Sequence, residues 1–219
     1  MPVAVLLDLD NTLIDRQAAH RLFCSQFVEQ HLATQSFGVQ KSAIEEMVAY
    51  DQFGYTSRKS YFKWLVKRFE LMARPEMLWA DYRARLPELF IPNPMVCKFV
   101  EEFVKRYKVA IVSNGSSQTQ RRKLARTGLA GLCSHIVISG EVGFEKPHPA
   151  IFRIALDLLG CPAESALFVG DDPSRDIAGA ADVSMQTCWI RLGRSACEQG
   201  IAPDFQIDHI LELENHLFE

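Results

Sequence analysis

The sequence predicts a doubly wound α/β fold, in which helices cover both faces of a parallel sheet. Short apolar runs that end near polar residues or glycine indicate buried strands at residues 3–7, 108–112, 136–138, 166–169 and 185–190. Helical patterns lie between the later runs, at residues 118–127, 149–159 and 174–181. Strands that alternate with helices in this way form parallel sheets with crossover helices.

A helical insertion interrupts this alternation early in the chain. Between residues 17 and 90, apolar side chains recur at helical spacing and no strand run occurs. Pro92 and Pro94 mark the return to the sheet, since proline disfavours helix in the preceding residue and suits the first turn of the next helix. We therefore predict a core domain of residues 1–16 and 91–219 and an inserted helical domain at residues 17–90.

The composition is that of a globular protein and excludes several classes of partner. The chain has 219 residues, of which 48% are hydrophobic and 23% are charged, which suits one domain with a modest insertion. The net charge of -3 gives no basic field for a nucleic acid polymer or an anionic membrane. No stretch approaches the ~18 apolar residues of a membrane span. An anionic ligand must therefore be held by a local group of residues.

The cysteines and histidines show no zinc-binding pattern. Six cysteines, at positions 24, 97, 133, 161, 188 and 197, include no C-x-x-C pair, and the six histidines include no H-E-x-x-H spacing. Their apolar neighbours suit reduced core thiols. The apolar run before Asp8 is also too short for a signal peptide, so we expect a cytoplasmic protein.

Two acids follow the first predicted strand, in the sequence DLDNT. Period-two alternation places Asp8 and Asp10 on the same side of the chain where the strand ends. Ligands bind at the carboxyl ends of strands in open α/β sheets, so this pair suits a metal ion or the roles of nucleophile and acid. Aspartates that form turns or cap helices would give the same pattern.

Two further motifs could hold a phosphate group. Ser113, Asn114 and Gly115 follow the second predicted strand, where a hydroxyl, successive backbone N–H groups and a glycine can cradle phosphate. Lys146, in GFEKP, precedes a predicted helix and offers a fixed positive charge. An ordinary strand-to-helix turn and a surface lysine are the alternatives.

An acidic cluster follows the fourth predicted strand, in the sequence GDDPSRD. One of Asp171, Asp172 and Asp176 could cap the next helix. Three acids within seven residues at one sheet edge would nevertheless repel one another strongly without a cation. The cluster therefore indicates a metal site.

DLDNT, SNG, the lysine of GFEKP and GDDPSRD match, in order, the four motifs of the haloacid dehalogenase superfamily, which this sequence resembles. The resemblance implies a Rossmann-like core, and the insertion resembles the type 1 helical cap of subfamily I. The SNG and EVGFEKP sequences are similar to those of bacterial nucleotidase-like members. A sugar phosphate, as in sugar-phosphatase-like members, phosphoglycolate and a flavin-type phosphate are the alternative substrates. The implied activity is magnesium-dependent hydrolysis of a small organic phosphate monoester.

The resemblance also implies a role for each motif residue. Asp8 would attack phosphorus and become an aspartyl phosphate, while Asp10 would protonate the leaving oxygen and then activate water. Ser113, with the backbone around Asn114, would bind the phosphoryl group. Lys146 would hold Asp8 and the phosphoryl oxygens together electrostatically.

The metal site implied by the resemblance contains Mg²⁺. Asp8, the carbonyl of Asp10 and Asp171 would hold the ion, and the spacing to Asp176 favours Asp171 over Asp172 as the ligand. Asp176 would act behind the ligands or hold the lysine in place. Mg²⁺ suits such a site because it prefers a few carboxylates together with water and substrate oxygens.

A basic residue in the predicted insertion is a further binding candidate. Arg58 lies in GYTSRK, where the resemblance places a loop that faces the active site. Its planar side chain can grip a carboxylate, a second phosphate or a base edge. An ordinary helix start with solvated basic residues is the alternative.

Other activities use similar residues. Haloacid dehalogenation also needs a strand-end aspartate, but it requires neither magnesium nor the second acid, so Asp10 argues against it. A phosphomutase would use the same four motifs. A receiver-like signalling module also combines aspartates, a hydroxyl and a lysine, although the insertion does not suit it. We expect a small phosphorylated metabolite as the partner, and the sequence does not predict the oligomeric state.

Overall fold

The chain divides into two compact units in the computed structural model, which describes residues 2–195 and 200–217. The core unit comprises Met1–Ile14 and Pro92–Glu219, and the helical unit comprises Asp15–Ile91. The insertion predicted at residues 17–90 falls within the helical unit. Of the cysteines considered above, Cys197 lies outside the described residues.

The core unit contains a parallel sheet of six strands among the described residues, in the order β3-β2-β1-β4-β5-β6. The strands are β1 (Ala4–Leu7), β2 (Lys108–Ser113), β3 (His135–Ile138), β4 (Ala166–Gly170), β5 (Gln186–Ile190) and β6 (Phe205–Ile207). The predicted doubly wound α/β fold is confirmed. The sequence did not predict β6, which pairs with β5 at the edge of the sheet.

Strand β1 lies between β2 and β4 in this sheet. Leu7 is in register with Ile111 on one side and with Val169 on the other. All four residues of β1 are buried, as expected for a central parallel strand covered on both faces. The residues that directly follow β1, β2 and β4 are therefore neighbours at one edge of the sheet.

Four longer helices form the helical unit: α1 (Arg16–His31), α2 (Phe37–Asp51), α3 (Arg58–Arg68) and α4 (Pro75–Arg85). The Asp15 carboxylate accepts the Ala18 N–H at the start of α1, and the Ser57 hydroxyl accepts the Ser60 N–H at the start of α3. Such caps satisfy N–H groups that have no partner within the helix.

A buried polar cluster lies inside the helical unit. Arg16 donates to both carboxylate oxygens of Asp51, over 2.7 and 3.0 Å. The hydroxyls of Tyr61 and Tyr82 lie 3.3 and 3.2 Å from the two ring nitrogens of His20. Although burial would raise the pKa of Asp51, the Arg16 guanidinium outweighs it and holds that pKa well below its usual range. The charges of this cluster are therefore paired.

The helices of the core unit are α5 (Pro94–Phe103), α6 (Ser117–Thr127), α7 (Ser139–Val142), α8 (Pro149–Leu159), α9 (Gly179–Ala181) and α10 (Leu213–Leu217). A π-helical segment, Pro173–Ala178, leads directly into α9. Helix α8 covers the sheet through Phe152, whose ring packs edge-on against Phe168 at 5.2 Å between centroids. Within the described residues, every helix is too short or too polar to cross a membrane.

Candidate active site

Asp8 lies directly after β1, within reach of a buried lysine. Its N–H donates to Val169 O over 2.9 Å, and 6% of the residue is exposed. The Lys146 ammonium donates to Asp8 Oδ1 over 2.5 Å and to Val112 O over 3.0 Å. The structure thus joins the first and third motifs, which are 138 residues apart.

Asp8, Asp171 and Asp176 form a buried group of carboxylates. One oxygen atom from each lies within 4.8 Å of the others. Gly170 makes this approach possible, because a Cβ at that position would lie 2.2 Å from Asp176 Oδ2. Glycine at the end of β4 therefore leaves room for an acidic side chain from the following helical segment.

The adjacent acids Asp171 and Asp172 have different roles in the structure. The Asp172 carboxylate caps the π-helical segment by accepting the N–H groups of Ser174 and Arg175, over 3.0 and 2.9 Å. Asp176 lies 2.7 Å from the Lys146 ammonium through Oδ1. Asp171 is thus the residue of the pair that joins the carboxylate group, and Asp176 pairs with the lysine.

Burial dominates the electrostatics of this group. It raises the pKa of Asp8 to about 7 against the opposing charge of Lys146, and Asp176 adds to the rise. Burial and the Asp8 carboxylate raise the pKa of Asp171 well above its usual range. Burial alone would lower the pKa of Lys146, but the carboxylates of Asp176 and Asp8 outweigh it and raise that pKa. Three ionised carboxylates would carry more negative charge than one ammonium can balance.

These residues fit a divalent cation. Within residues 2–195 and 200–217, Asp8, Asp171 and Asp176 are the one group of acidic, histidine or cysteine side chains close enough to hold a metal ion. A cation would relieve the repulsion that raises their pKa values. Carboxylate oxygens are the protein ligands that hard cations such as Mg²⁺ and Ca²⁺ prefer.

The SNG motif begins at the last residue of β2 and contacts the lysine motif. Ser113 ends the strand with 1% of its surface exposed. The Asn114 side chain donates to Lys146 O over 2.9 Å and accepts the Lys146 N–H over 2.8 Å, which fixes the lysine backbone. The Gly115 N–H donates to Ser139 Oγ over 2.9 Å. Gly115 has a φ of 139°, a conformation that favours glycine.

Helix α6 supplies two site residues that the sequence reasoning missed. Lys123 Nζ lies 2.8 and 2.6 Å from the two carboxylate oxygens of Asp10. Gln120 Nε2 donates to Asp10 Oδ2 over 3.0 Å and to Ser113 Oγ over 2.7 Å. The available signal was their spacing, since residues three apart in a helix share a face with buried Leu124 and Thr127.

The backbone of Asp171 is also held by residues that were not predicted. The indole N–H of Trp189 donates to Asp171 O over 3.0 Å, and the Arg194 guanidinium donates to the same oxygen over 2.7 Å. The Asn11 amide donates to Asp171 Oδ2 over 3.3 Å. These contacts fix the orientation of Asp171 within the acidic group. Such supporting hydrogen bonds are common around metal ligands.

Arg58, the predicted binding residue of the insertion, has partners within the helical unit. Its guanidinium donates to Asp51 Oδ1 over 2.8 Å, to Gly54 O over 3.2 Å and to Thr56 O over 2.7 Å. A fifth of the side chain, 20%, remains exposed. Arg58 thus ties the turn before α3 to the buried polar cluster.

The family model described as haloacid dehalogenase-like hydrolase matches residues 5–190, which is most of the chain. The chain belongs to this family. The resemblance seen in the four motifs is confirmed, and the four motifs meet at the carboxyl edge of β1, β2 and β4. The matched region ends with β5, so β6 lies beyond it.

Two relatives of this haloacid dehalogenase-like hydrolase are named as a nucleotidase and a phosphatase. The chain is 35% identical over 148 residues to pyrimidine 5'-nucleotidase YjjG of Escherichia coli, a match that covers 67% of this chain and 66% of that protein. It is 37% identical over 105 residues to phosphoserine phosphatase of Thermus thermophilus, covering 48% of this chain and 42% of that protein. The matches span less than two thirds of either relative's length.

A solved structure shares the fold over the whole chain. The HAD-hydrolase YfnB from Bacillus subtilis, whose crystals contain magnesium, is 24% identical and superposes with a TM-score of 0.77. The match covers 100% of this chain and 99% of that chain. At this identity the likeness establishes the fold.

Proposed function

We propose that this hydrolase is a magnesium-dependent phosphatase that cleaves small organic phosphate monoesters through an aspartyl phosphate at Asp8. The observation that carries the proposal is the surroundings of Asp8. A buried ammonium, Lys146, and a second carboxylate, Asp171, flank Asp8. Asp10 lies two residues further along the chain and is linked to Ser113 through the Gln120 amide. These groups supply a nucleophile, charge neutralisation and a proton carrier at one sheet edge.

In the first step, an Asp8 oxygen bonds to phosphorus and the ester P–O bond breaks. The leaving oxygen takes a proton from the Asp10 carboxyl group. The Ser113 hydroxyl and the Lys146 ammonium stabilise the charge on the phosphoryl oxygens. In the second step, Asp10 removes a proton from water as the water oxygen bonds to phosphorus, and the bond to Asp8 breaks to release inorganic phosphate.

Magnesium would be held by Asp8 and Asp171, with the backbone carbonyl of Asp10 as a further oxygen. When bound, the ion supplies positive charge that offsets the repulsion between these carboxylates and a phosphate dianion. Asp176 serves the site through its ion pair with Lys146 rather than as a main ligand. This keeps the lysine charged and fixed beside Asp8.

The names of the relatives support a substrate class. Nucleoside monophosphates are proposed substrates because a relative is named pyrimidine 5'-nucleotidase. Sugar phosphates are proposed because other relatives are named glyceraldehyde 3-phosphate phosphatase and N-acylneuraminate-9-phosphatase. The helical unit would act as a cap, with Arg58 as the residue that recognises the leaving group.

Free thiols at all five cysteines of the described residues support a cytoplasmic location.

The test is turnover of p-nitrophenyl phosphate by the full chain and by Asp8→Asn. We expect sustained phosphate release that depends on magnesium and a loss of at least about 10³-fold in the variant, because an amide cannot form the phosphoryl intermediate. Asp157→Asn, at an exposed acid of α8, is the matched control and should retain activity. Activity of Asp8→Asn within tenfold of the parent would contradict the mechanism.

Product analysis separates the related activities. A phosphomutase would convert a sugar phosphate into its isomer with little free phosphate, and a dehalogenase would release halide from a 2-haloacid. A receiver-like module would phosphorylate itself once and show no sustained release. Metabolite screening with nucleoside monophosphates and sugar phosphates would then identify the preferred substrate.

A further inference from the structure

Helix α6 carries two polar side chains on its buried face, beside the site. Gln120 and Lys123 are 2% and 4% exposed. Burying an amide or an ammonium group costs free energy unless the group finds partners. Because both residues lie in the core unit and both contact motif residues, their partners indicate what they do.

Their partners include the two groups that would act on the substrate oxygens. Lys123 contacts both oxygens of Asp10, at 2.8 and 2.6 Å, so the carboxylate is held at two points. Gln120 then links Asp10 to Ser113, over 3.0 and 2.7 Å. The Asp10 carboxylate is thereby fixed on the same side of the site as the hydroxyl that would bind the phosphoryl group.

The SNG glycine makes the position of Gln120 possible. A Cβ at Gly115 would lie 3.1 to 3.2 Å from three atoms of the Gln120 side chain, closer than ordinary contact. The turn after β2 is therefore shaped to let this amide reach Asp10 and Ser113.

A purely structural role explains these contacts less well. Helix α6 is already fixed by the Ser116 cap and by buried Leu124. Replacing a buried ion pair with apolar side chains is often neutral or stabilising, so anchoring the helix does not require a lysine. A carboxylate that must exchange protons with the substrate does require a fixed position, since displacement of about 1 Å can cost a large part of the rate.

We propose that Lys123 and Gln120 are positioning residues that hold Asp10 in place for proton exchange with the leaving oxygen. The inference rests on the proposed phosphatase function. Neither residue needs to touch the substrate.

The test compares leaving groups of different basicity in Lys123→Met and the parent enzyme. An alkyl phosphate has a poor leaving group that needs protonation, whereas p-nitrophenolate leaves without it. We expect kcat/KM for the alkyl phosphate to fall about 10- to 100-fold, and for p-nitrophenyl phosphate to fall less than about threefold. A plot of log kcat/KM against leaving-group pKa should therefore become steeper.

Three further variants separate positioning from folding. Gln120→Met, of similar size, should show the same selective loss at smaller magnitude, and it keeps the test open should Lys123→Met fail to fold. Arg126→Met removes an exposed cation from the same helix and should change neither substrate. In an Asp10→Asn background, Lys123→Met should cause no further loss on the alkyl phosphate, because its effect passes through Asp10.

The outcomes are distinct. If the parent hydrolyses both substrates and the variants lose activity equally on both, or on neither, the positioning role is overturned while the phosphatase function stands. An additive loss in the Asp10→Asn background would also overturn it. If the parent hydrolyses neither substrate, the phosphatase function fails, and the positioning role fails with it.

Discussion

Asp176 occupies the space that Gly170 leaves by having no side chain, since a Cβ on Gly170 would lie 2.2 Å from Asp176 Oδ2. The glycine ends β4, and the aspartate belongs to the π-helical segment that follows. The position of Asp176 also affects Lys146, because the Lys146 ammonium lies 2.7 Å from Asp176 Oδ1.

Gly170→Ala should therefore damage the site more than the fold. The added methyl displaces Asp176, so Lys146 loses a partner and Asp8 loses a fixed cation. We expect kcat/KM to fall at least about 100-fold and the free energy of unfolding to fall by about 1 to 3 kcal/mol, the usual cost of overpacking. Gly131→Ala, where a Cβ has nothing within 4 Å, is the control for both measurements. Activity near that of the parent would show that Asp176 is dispensable.

Magnesium affinity should depend on pH. Below a pKa of about 7, Asp8 holds a proton in the metal-free protein, and Asp171 is shifted in the same direction. These protons must leave before the carboxylates can bind a cation, so affinity should weaken as the pH falls through 7, by about tenfold per pH unit for each proton displaced.

Calorimetric titration in two buffers of different ionisation enthalpy measures both the affinity and the protons released. We expect about one proton or more released at pH 6 and fewer at pH 8. Asp171→Asn should lose most of the affinity, whereas Asp157→Asn should keep it. Binding that neither releases protons nor changes with pH would contradict the assigned ligands.

Acid should destabilise the helical unit through His20. Burial lowers the pKa of His20 to about 4 from an ordinary 6.5, with Asp51 opposing the shift. The unfolded chain therefore binds a proton between these values while the folded chain does not. The part of the free energy of unfolding that depends on neutral His20 is fully present above about pH 6.5. It decreases as the pH falls and is lost near pH 4, with a total loss of about 3 kcal/mol.

Urea unfolding monitored by Trp64 and Trp79, in a Trp189→Phe background, measures this loss in the helical unit. His20→Gln should flatten the pH dependence between 6.5 and 4, because glutamine does not titrate. The comparison cancels carboxylates that titrate in both proteins. Equal slopes in the two proteins would exclude His20 as the origin.

Arg58→Ala tests recognition by the helical unit. If Arg58 contacts the leaving group, kcat/KM for the preferred metabolite should fall by a factor that corresponds to ~1.5 to 3 kcal/mol. The kcat/KM for p-nitrophenyl phosphate should change little, because its leaving group lacks the groups that Arg58 would recognise. Asp51 keeps its ion pair with Arg16 in the variant. Arg68→Ala, at a half-exposed arginine paired with Glu46, is the control. Equal losses on both substrates would assign Arg58 to the fold, and no loss would leave it without a binding role.

The strands of the core and the motif order could be predicted because buried parallel strands form apolar runs that stop at polar residues. Strand β6 could not be predicted, because three residues are too few to show a periodic pattern and only Ile207 is buried. Spacing in the sequence favours Asp171 over Asp172 as the metal ligand. The choice is decided by which of the two caps the helical segment, and spacing does not show that. Lys123 was not predicted because a lysine in a helix is normally solvated. The burial of Lys123 depends on its contact with Asp10, 113 residues away.

The central place of β1 has a consequence for synthesis of the chain. On the ribosome, β1 emerges before the other five strands, yet its partner β4 begins at residue 166, after the helical unit and more than half of the core unit. Until then, one edge of β1 has no strand to bond, and the Asp8 N–H cannot reach Val169. That edge of the apolar strand therefore stays unpaired in a nascent chain until β4 has been synthesised, so the central strand of the sheet is completed late.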